Sequence, residues 1–437
     1  MTTVATPAQS SAPHPYLQHL LEGQSGLAAA PTDALKALRA RAVERVSALT
    51  VPTLRDEDWR FTDLAPFTQR RFQPAGTPPR LDAQALAAFA PAEAVTRLVF
   101  VDGVFQPEAG GTQAGGIVTV LSGADAATRA RAAVMGTLAG VEHQVFTALN
   151  TAFLREAALV LVPRGVAAAA PVHLLFISTQ TGVAVHPRVL VVAEAGAVVT
   201  VIEDYVALGG AGYFNNAVTE IVLGEDAHVR HYKIQREAPD AFHFATSAVR
   251  VSRNARYEGT ALSFGARLSR HDPVVEIAGD GAACDLAGLA LIGGRQLADT
   301  HSTIDHTMPH GQSRQLHKMI VAGGAHAVFN GRIVVRPGAQ LTNSGQQSRN
   351  LLLSAKARVD TKPQLEIFAD DVKCAHGATV GQLDAEELFY LRSRGFDEGA
   401  ARNLLTYAFG AEVVERIALP SLKQRLEQLV LAGTSGK

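Results

Sequence analysis

The chain has 437 residues, 47% of them apolar, which excludes wholesale disorder and is enough to bury a large core in two or three regions. A formal net charge of −1 provides no basic field of the kind that attracts nucleic acid. Two distant cysteines, Cys284 and Cys374, do not suggest a disulfide scaffold. No apolar run reaches the roughly 18–20 residues that span a bilayer, and residues 1–15 lack a basic-then-apolar leader, so a cytosolic, reducing setting without membrane contact is expected.

Residues 1–30, rich in Ala, Ser, Thr, Pro and Gly, read as a weakly ordered lead-in with a short helix around 16–21. Thr32 or Asp33 caps a helix in which Leu35, Leu38, Ala42, Val46 and Leu49 recur at helical spacing, and Pro52 ends it. Trp59, the only tryptophan, and Phe61 pin the next segment onto the core. A loop at 73–80 precedes a strand pair over 95–106 that turns at Asp102-Gly103. Gly110, Gly111, Gly115 and Gly116 mark another loop. Residues 124–156 are Ala-rich and read as helix, closing an N-terminal α/β helical region over 31–156.

From 157 to 382 the texture changes to short Val, Ile and Leu runs broken by Gly, Asp and Asn. A loose step recurs, a turn residue followed by Ala: Gly196-Ala197, Asp226-Ala227, Asn254-Ala255, Gly281-Ala282, Gly324-Ala325, Gly338-Ala339 and Lys356-Ala357. The alanines are 30, 28, 27, 43, 14 and 18 residues apart. A tight turn, a small residue and a short strand suit the corners of a parallel β-helix, in which each coil buries its inward side chains against its neighbours. A large β-sandwich is the competing arrangement.

Residues 383–437 return to helix. Asp384 with Glu387 is shaped like a capping box, and Gly395 stands where a C-terminal cap belongs. A second helix from Asp397 to about 417 offers Leu404, Leu405, Ala408, Val413 and Ile417 for burial. A third over 421–431 offers Leu422, Leu426, Leu429 and Val430. Three such helices either cap an open end of the β region or dock a partner.

No phosphate-binding loop, nucleophile elbow, zinc-protease motif or Cys-x-x-Cys pair occurs, so nothing marks a self-sufficient enzyme or ATPase. The stretch Asp370-Asp371-Val372-Lys373-Cys374-Ala375-His376-Gly377 is the richest in chemistry. On a strand, Cys374 and His376 share one face, and a thiolate beside an imidazole suits iron, zinc or an iron–sulfur unit. Two ligands do not close a metal site, so others must come from elsewhere in the fold or from a partner. A buried thiol and a hydrogen-bonded histidine are the structural alternative. A second cluster, His301, His306, His310 and His317 with Asp299 and Asp305 nearby, either binds metal or holds satisfied histidines on a strand–turn–strand.

Residues 370–381 followed by Leu388-Phe389-Tyr390-Leu391-Arg392-Ser393-Arg394-Gly395, together with Thr342-Asn343-Ser344-Gly345-Gln346-Gln347-Ser348-Arg349-Asn350-Leu351-Leu352-Leu353 and Pro363-Gln364-Leu365-Glu366-Ile367, resemble the SufB/SufD family of the SUF iron–sulfur cluster assembly system. The resemblance covers roughly 155–432. Ala375-His376-Gly377 stands where SufB proteins carry Glu-His-Glu, and the segment around Trp59 is similar to the N-terminal SufD pattern. The resemblance implies a mainly β fold, a right-handed parallel β-helix with helical N- and C-terminal regions. It implies a non-catalytic scaffold that pairs with a SufB-like paralogue and docks a SufC-like ATPase. Glu386, Glu387, Leu388, Phe389, Tyr390, Arg392 and Arg394 become the docking candidates. His376, and with less support Cys374, become ligands of a transient cluster at the paired interface. Reduced flavin is implied for the complex, with no residues assigned here, and a homodimer of the chain alone stays open. The competing functions are a stand-alone metal-binding β-helix using the histidine run, a SufB-like primary scaffold, and a β-helix carbohydrate-active enzyme. The last is disfavoured by an aromatic content of 6%.

Overall fold

Two parallel sheets wound alternately from one chain form the body of the protein. The computed structural model describes residues 13–27, 32–110 and 117–435. One sheet runs Arg188–Ala193, Phe214–Leu223, Phe242–Val251, Leu268–Ile277, Leu297–His306, His326–Val335 and Arg358–Ile367. The other runs Val198–Ala207, His228–Arg236, Arg256–Ser263, Ala283–Ile292, Gln312–Val321, Asn343–Leu352 and Lys373–Gly381. The chain changes sheet at every strand, which makes a parallel β-solenoid of roughly eight turns and excludes the sandwich.

The corners explain the winding. Gly196, Asp226, Asn254, Gly281, His310 and Leu341 all have positive φ, at intervals of 27 to 31 residues. Each donates its N–H to a carbonyl of the next coil: Asp226 to Arg253, Asn254 to Asp280, Gly281 to Pro309, His310 to Gln340. Gly, Asn and Asp tolerate this left-handed backbone best, which is why they punctuate the sequence. The following alanines, Ala197, Ala227, Ala255 and Ala282, are fully buried inside the corner, as is Ala339. Gly324-Ala325 and Lys356-Ala357 lie at the opposite corner, between strands that run from the second sheet to the first. The uneven spacing in the sequence therefore mixes two corners.

The two outer faces are covered by different ends of the chain. Phe67, Phe72, Phe146 and Leu149 of the N-terminal region pack on Phe214, Phe242, Phe244 and Leu268 of the first sheet. Val413, Val414, Ile417, Leu422, Leu426 and Val430 of the C-terminal helices pack on Tyr232, Ile234, Leu289, Leu316 and Ile320 of the second. The last two C-terminal helices, Glu398–Val414 and Pro420–Ser435, therefore lie along the solenoid and do not cap its end. The first coils are closed by Thr96–Val101, which joins Val172–Ser178 and carries antiparallel Val104–Phe105, and by Val118–Val120 antiparallel to Ala158–Val162.

Several elements follow the sequence reading. Pro15–Leu21 and Asp33–Ala48 are helices, and the Thr32 hydroxyl accepts from Leu35 N. The turn at Asp102-Gly103 joins Thr96–Val101 to Val104–Phe105, and both turn residues have positive φ. The lead-in is helical over 15–26, while residues 1–12 and 28–31 and the glycines at 111, 115 and 116 lie outside the described residues. Three readings are corrected. The loop at 73–80 holds a short strand, Gln73–Pro74, on Val183–Val185. The helix expected over 124–156 is two short α-helices, Ala126–Arg131, prolonged by a 3-10 turn over Ala132–Val134, and Val145–Ala152, because Ala-rich composition says nothing about where turns fall. Along Glu398–Val414 the buried stripe is Ala401, Thr406, Gly410, Val413 and Val414, leaving Leu404 and Ala408 exposed.

Candidate functional site

The last coil is the least covered part of the solenoid. No residue of Arg358–Ile367 is buried, and nearly all of Lys373–Gly381 is exposed. Among the described residues the strand Lys373–Gly381 pairs only with Asn343–Leu352 in its sheet, which leaves its other edge free. Cys374 and His376 sit on this strand two residues apart and share a face. Their register partners are Ser344 and Gln346, both buried and inward. The pair thus continues the inward columns of the solenoid at its open mouth. Cys374 is half-buried and packs against Ile333, Val335 and Ala339. Burial pushes its thiol up, opposed by a hydrogen bond from the Ser344 backbone. His376 is exposed.

The columns beneath are strongly polar, and the sequence reading missed this. Register links Cys284, Ser313, Ser344 and Cys374 into one column, so both cysteines share it with two serines between them. Ser313 Oγ and Ser344 Oγ are 2.7 Å apart, and His306 Nε2 is 2.9 Å from Ser313 Oγ. Burial pushes the Cys284 thiol far up, which makes it inert. Deeper in the lumen, Glu203 accepts from Tyr205, Thr219 and His231, and the Tyr257 hydroxyl meets the other His231 nitrogen at 2.9 Å. Burial pushes the Glu203 carboxyl up, but these partners outweigh it and hold the group below its ordinary value. Lys233 Nζ donates to His243 Nε2 at 2.7 Å, with Glu237 against the other ring nitrogen. Burial drives Lys233 down to about 8, with Glu203 and Glu237 opposing. Alternation of His231, Lys233 and Gln235 between Tyr232 and Ile234 was the available signal: in this strand the polar set faces in.

The four histidines of the central run do not converge. His301 faces outward, 3.4 Å from Asp58, while His310 is a corner residue 2.6 Å from Asp280. His306 and His317 face inward on different strands, His317 against Phe329. Among the described residues no group of three His, Cys, Asp or Glu side chains is placed to hold a metal ion.

The docking candidates lie on the helix Ala385–Ser393. Asp384 accepts from Glu386 N and Glu387 N, and Gly395 ends the helix with φ +96°. None of its residues is buried: Phe389 is 74% and Tyr390 56% exposed, with Arg394 over the Tyr390 ring. Leu388 is half-buried, while Glu386, Glu387, Arg392 and Arg394 face solvent. Phe396 and Leu404 extend the exposed apolar surface. No helix among the described residues is long and apolar enough to cross a membrane.

Residues 176–409 match the SufBD core domain of SUF-system iron–sulfur cluster assembly, and residues 10–174 match the SufBD N-terminal region. The chain is 41% identical to an iron–sulfur cluster assembly SufBD family protein of Synechocystis over 91% of its length and 90% of that protein's. It is 34% identical to the iron–sulfur cluster assembly protein SufD of Escherichia coli, over 86% of this chain and 88% of that one. It is 32% identical to the chloroplastic protein ABCI7 of Arabidopsis thaliana, over 95% and 90%. Two adjoining domain matches and near-full-length relatives lead to one conclusion: the chain belongs to the SufBD family of the SUF iron–sulfur cluster assembly system.

Proposed function

We propose that this chain is a scaffold subunit of an iron–sulfur cluster assembly complex, without catalysis of its own. It pairs with a SufB-like paralogue through its uncovered last coil and docks a SufC-like ATPase through the helix Ala385–Ser393 and the exposed surface after it. The observation that carries this reading is the open mouth of the solenoid, where Cys374 and His376 stand on one face beside a free strand edge. The nascent cluster is cargo. His376 as a neutral imidazole supplies part of its ligand set, Cys374 is the second candidate, and the paralogue supplies the rest. A site divided between two chains assembles only in the complex and can reopen to release its cargo. The exposed aromatic residues of the docking helix are the apolar anchors such an interface uses.

The test is co-purification of the tagged chain with its SufB-like and SufC-like partners, followed by anaerobic absorption spectroscopy. His376→Ala should leave the complex intact and reduce cluster yield. A mutant complex that assembles cluster at the wild-type rate would remove His376 from the ligand set. The dispersal of His301, His306, His310 and His317 removes the support for the stand-alone metal-binding alternative.

A further inference from the structure

Gln346 is 1% exposed, yet neither atom of its amide has a hydrogen-bond partner. An unpaired buried amide is costly, and a native fold keeps one only where some partner answers it. Its place in the register identifies that partner. One inward column runs Leu286, Gln315, Gln346, His376. Ser302 Oγ donates to Gln315 Oε1 at 2.8 Å, which orients that amide, and Gln315 Nε2 is unpartnered. Leu286 below Gln315 is apolar, so the stack cannot be satisfied downward. Across the lumen stands Gly331, where an added Cβ would lie 2.3 Å from Gln346 Nε2. The opposite wall therefore leaves space and supplies no polar side chain at that point. Upward, one rung of about 4.8 Å away, is His376.

Resting on the reading of His376 as a cluster ligand, we infer that Gln346 is its positioning residue: the Gln346 carbonyl accepts the N–H of the His376 ring and leaves the other nitrogen free for the cargo. The donors and acceptors close in order along the column. Ser302 holds Gln315 Oε1 as the structure stands, and in the inferred ladder rotation of the two amides brings Gln315 Nε2 onto one lone pair of Gln346 Oε1 and the imidazole N–H onto the other. Stacked amides on successive parallel strands form such ladders readily. The ladder fixes tautomer and ring orientation from within the fold, as outer groups do for metal-bound histidines elsewhere. Thr361, on the other sheet, also has an unpartnered hydroxyl and is the competing recipient of the Gln346 amide.

The experiment uses the full chain with ¹⁵N-labelled histidines, reading the two ring nitrogens of His376 by NMR and assigning them with His376→Ala. Gln346→Met, of similar length but without an amide, should shift both ring nitrogens toward a solvent-exposed imidazole. Gln346→Glu, which keeps an acceptor oxygen, should retain the wild-type pattern, and so should Thr361→Val. Gln346→Ser, too short to reach the ring, repeats the test if the Met variant does not fold. Ring nitrogens unchanged in Gln346→Met or Gln346→Ser, or moved by Thr361→Val as much, would overturn the inference. In the assembled complex, Gln346→Met should reduce cluster yield about 10-fold with recovery in Gln346→Glu. Failure of the ligand reading has a different signature: ring nitrogens that respond to Gln346→Met while His376→Ala leaves cluster yield unchanged.

Discussion

The guanidinium of Arg270 lies 3.9 Å from the centre of the Trp59 ring while Nη1 donates to Asp299 at 2.6 Å. Thr62 donates to the same Asp299 oxygen, and Arg270 also bonds the Asp58 carbonyl. One buried arginine thus ties the N-terminal segment to two successive strands of the first sheet. Trp59 in turn packs on Phe146 and Phe244. Trp59→Ala should destabilise the chain by about 3 kcal/mol, seen as a lower urea midpoint. A midpoint within experimental scatter of wild type would show that the segment is held by its polar contacts alone.

Room inside the solenoid is allocated by glycine. At Gly331 a Cβ would also meet Phe329 Cζ at 2.6 Å, and at Gly288 it would meet His317 Nδ1 at 2.4 Å. Gly331→Ala and Gly288→Ala should each cost about 1–3 kcal/mol, because the lumen side chains must leave their rotamers. Neutral behaviour of either variant in thermal unfolding would mean the lumen is looser than its contacts imply.

Acid should weaken the fold through its interior histidines. Burial pushes His306 down to about 4 and His317 to about 3, and drives His271 well below its ordinary value. The unfolded chain protonates these groups near pH 6.5, so below that value it binds more protons than the folded chain. Stability is therefore full above about pH 6.5 and declines as pH falls toward 4, by up to about 1.4 kcal/mol per pH unit for each histidine. Urea midpoints at pH 7, 6 and 5 should show the decline, and His306→Asn should make it shallower. A flat profile would contradict a neutral histidine interior.

The proposed docking helix, Ala385–Ser393, should behave in the opposite way. Phe389→Glu and Tyr390→Glu remove exposed aromatic surface and bury no charge in the chain itself, so unfolding should change by less than about 0.5 kcal/mol. Binding of the SufC-like ATPase, measured by calorimetry, should weaken by at least 10-fold, the cost of losing one interface anchor. Undiminished binding would move the docking surface elsewhere.

What the sequence made legible follows from how local each feature is. The corner turns could be read because Gly196, Asp226, Asn254 and Gly281 each show their backbone requirement in their identity. The shared face of Cys374 and His376 follows from period two alone. What lies beneath them was not legible. Cys374 stacks on Ser344 and His376 on Gln346 only through register, which depends on the length of every turn between the strands. Two of those turn residues, His310 and Leu341, are types that seldom mark a left-handed turn. From sequence alone His310 accordingly falls into the histidine run, where metal binding and satisfied histidines both stay open. The C-terminal helices misled for a related reason: their patterning shows an apolar side but not which surface receives it. Leu404 and Phe389 are as apolar as Leu422, yet only Leu422 is buried against the solenoid.

A coil closed at its start by antiparallel strands and bare at its finish is a rod with one sticky tip. The free backbone groups on the Lys373–Gly381 edge can take one further strand. Two such edges paired with each other would satisfy one another's free groups. The same asymmetry that exposes the last coil therefore confines edge-to-edge pairing to one end of the solenoid.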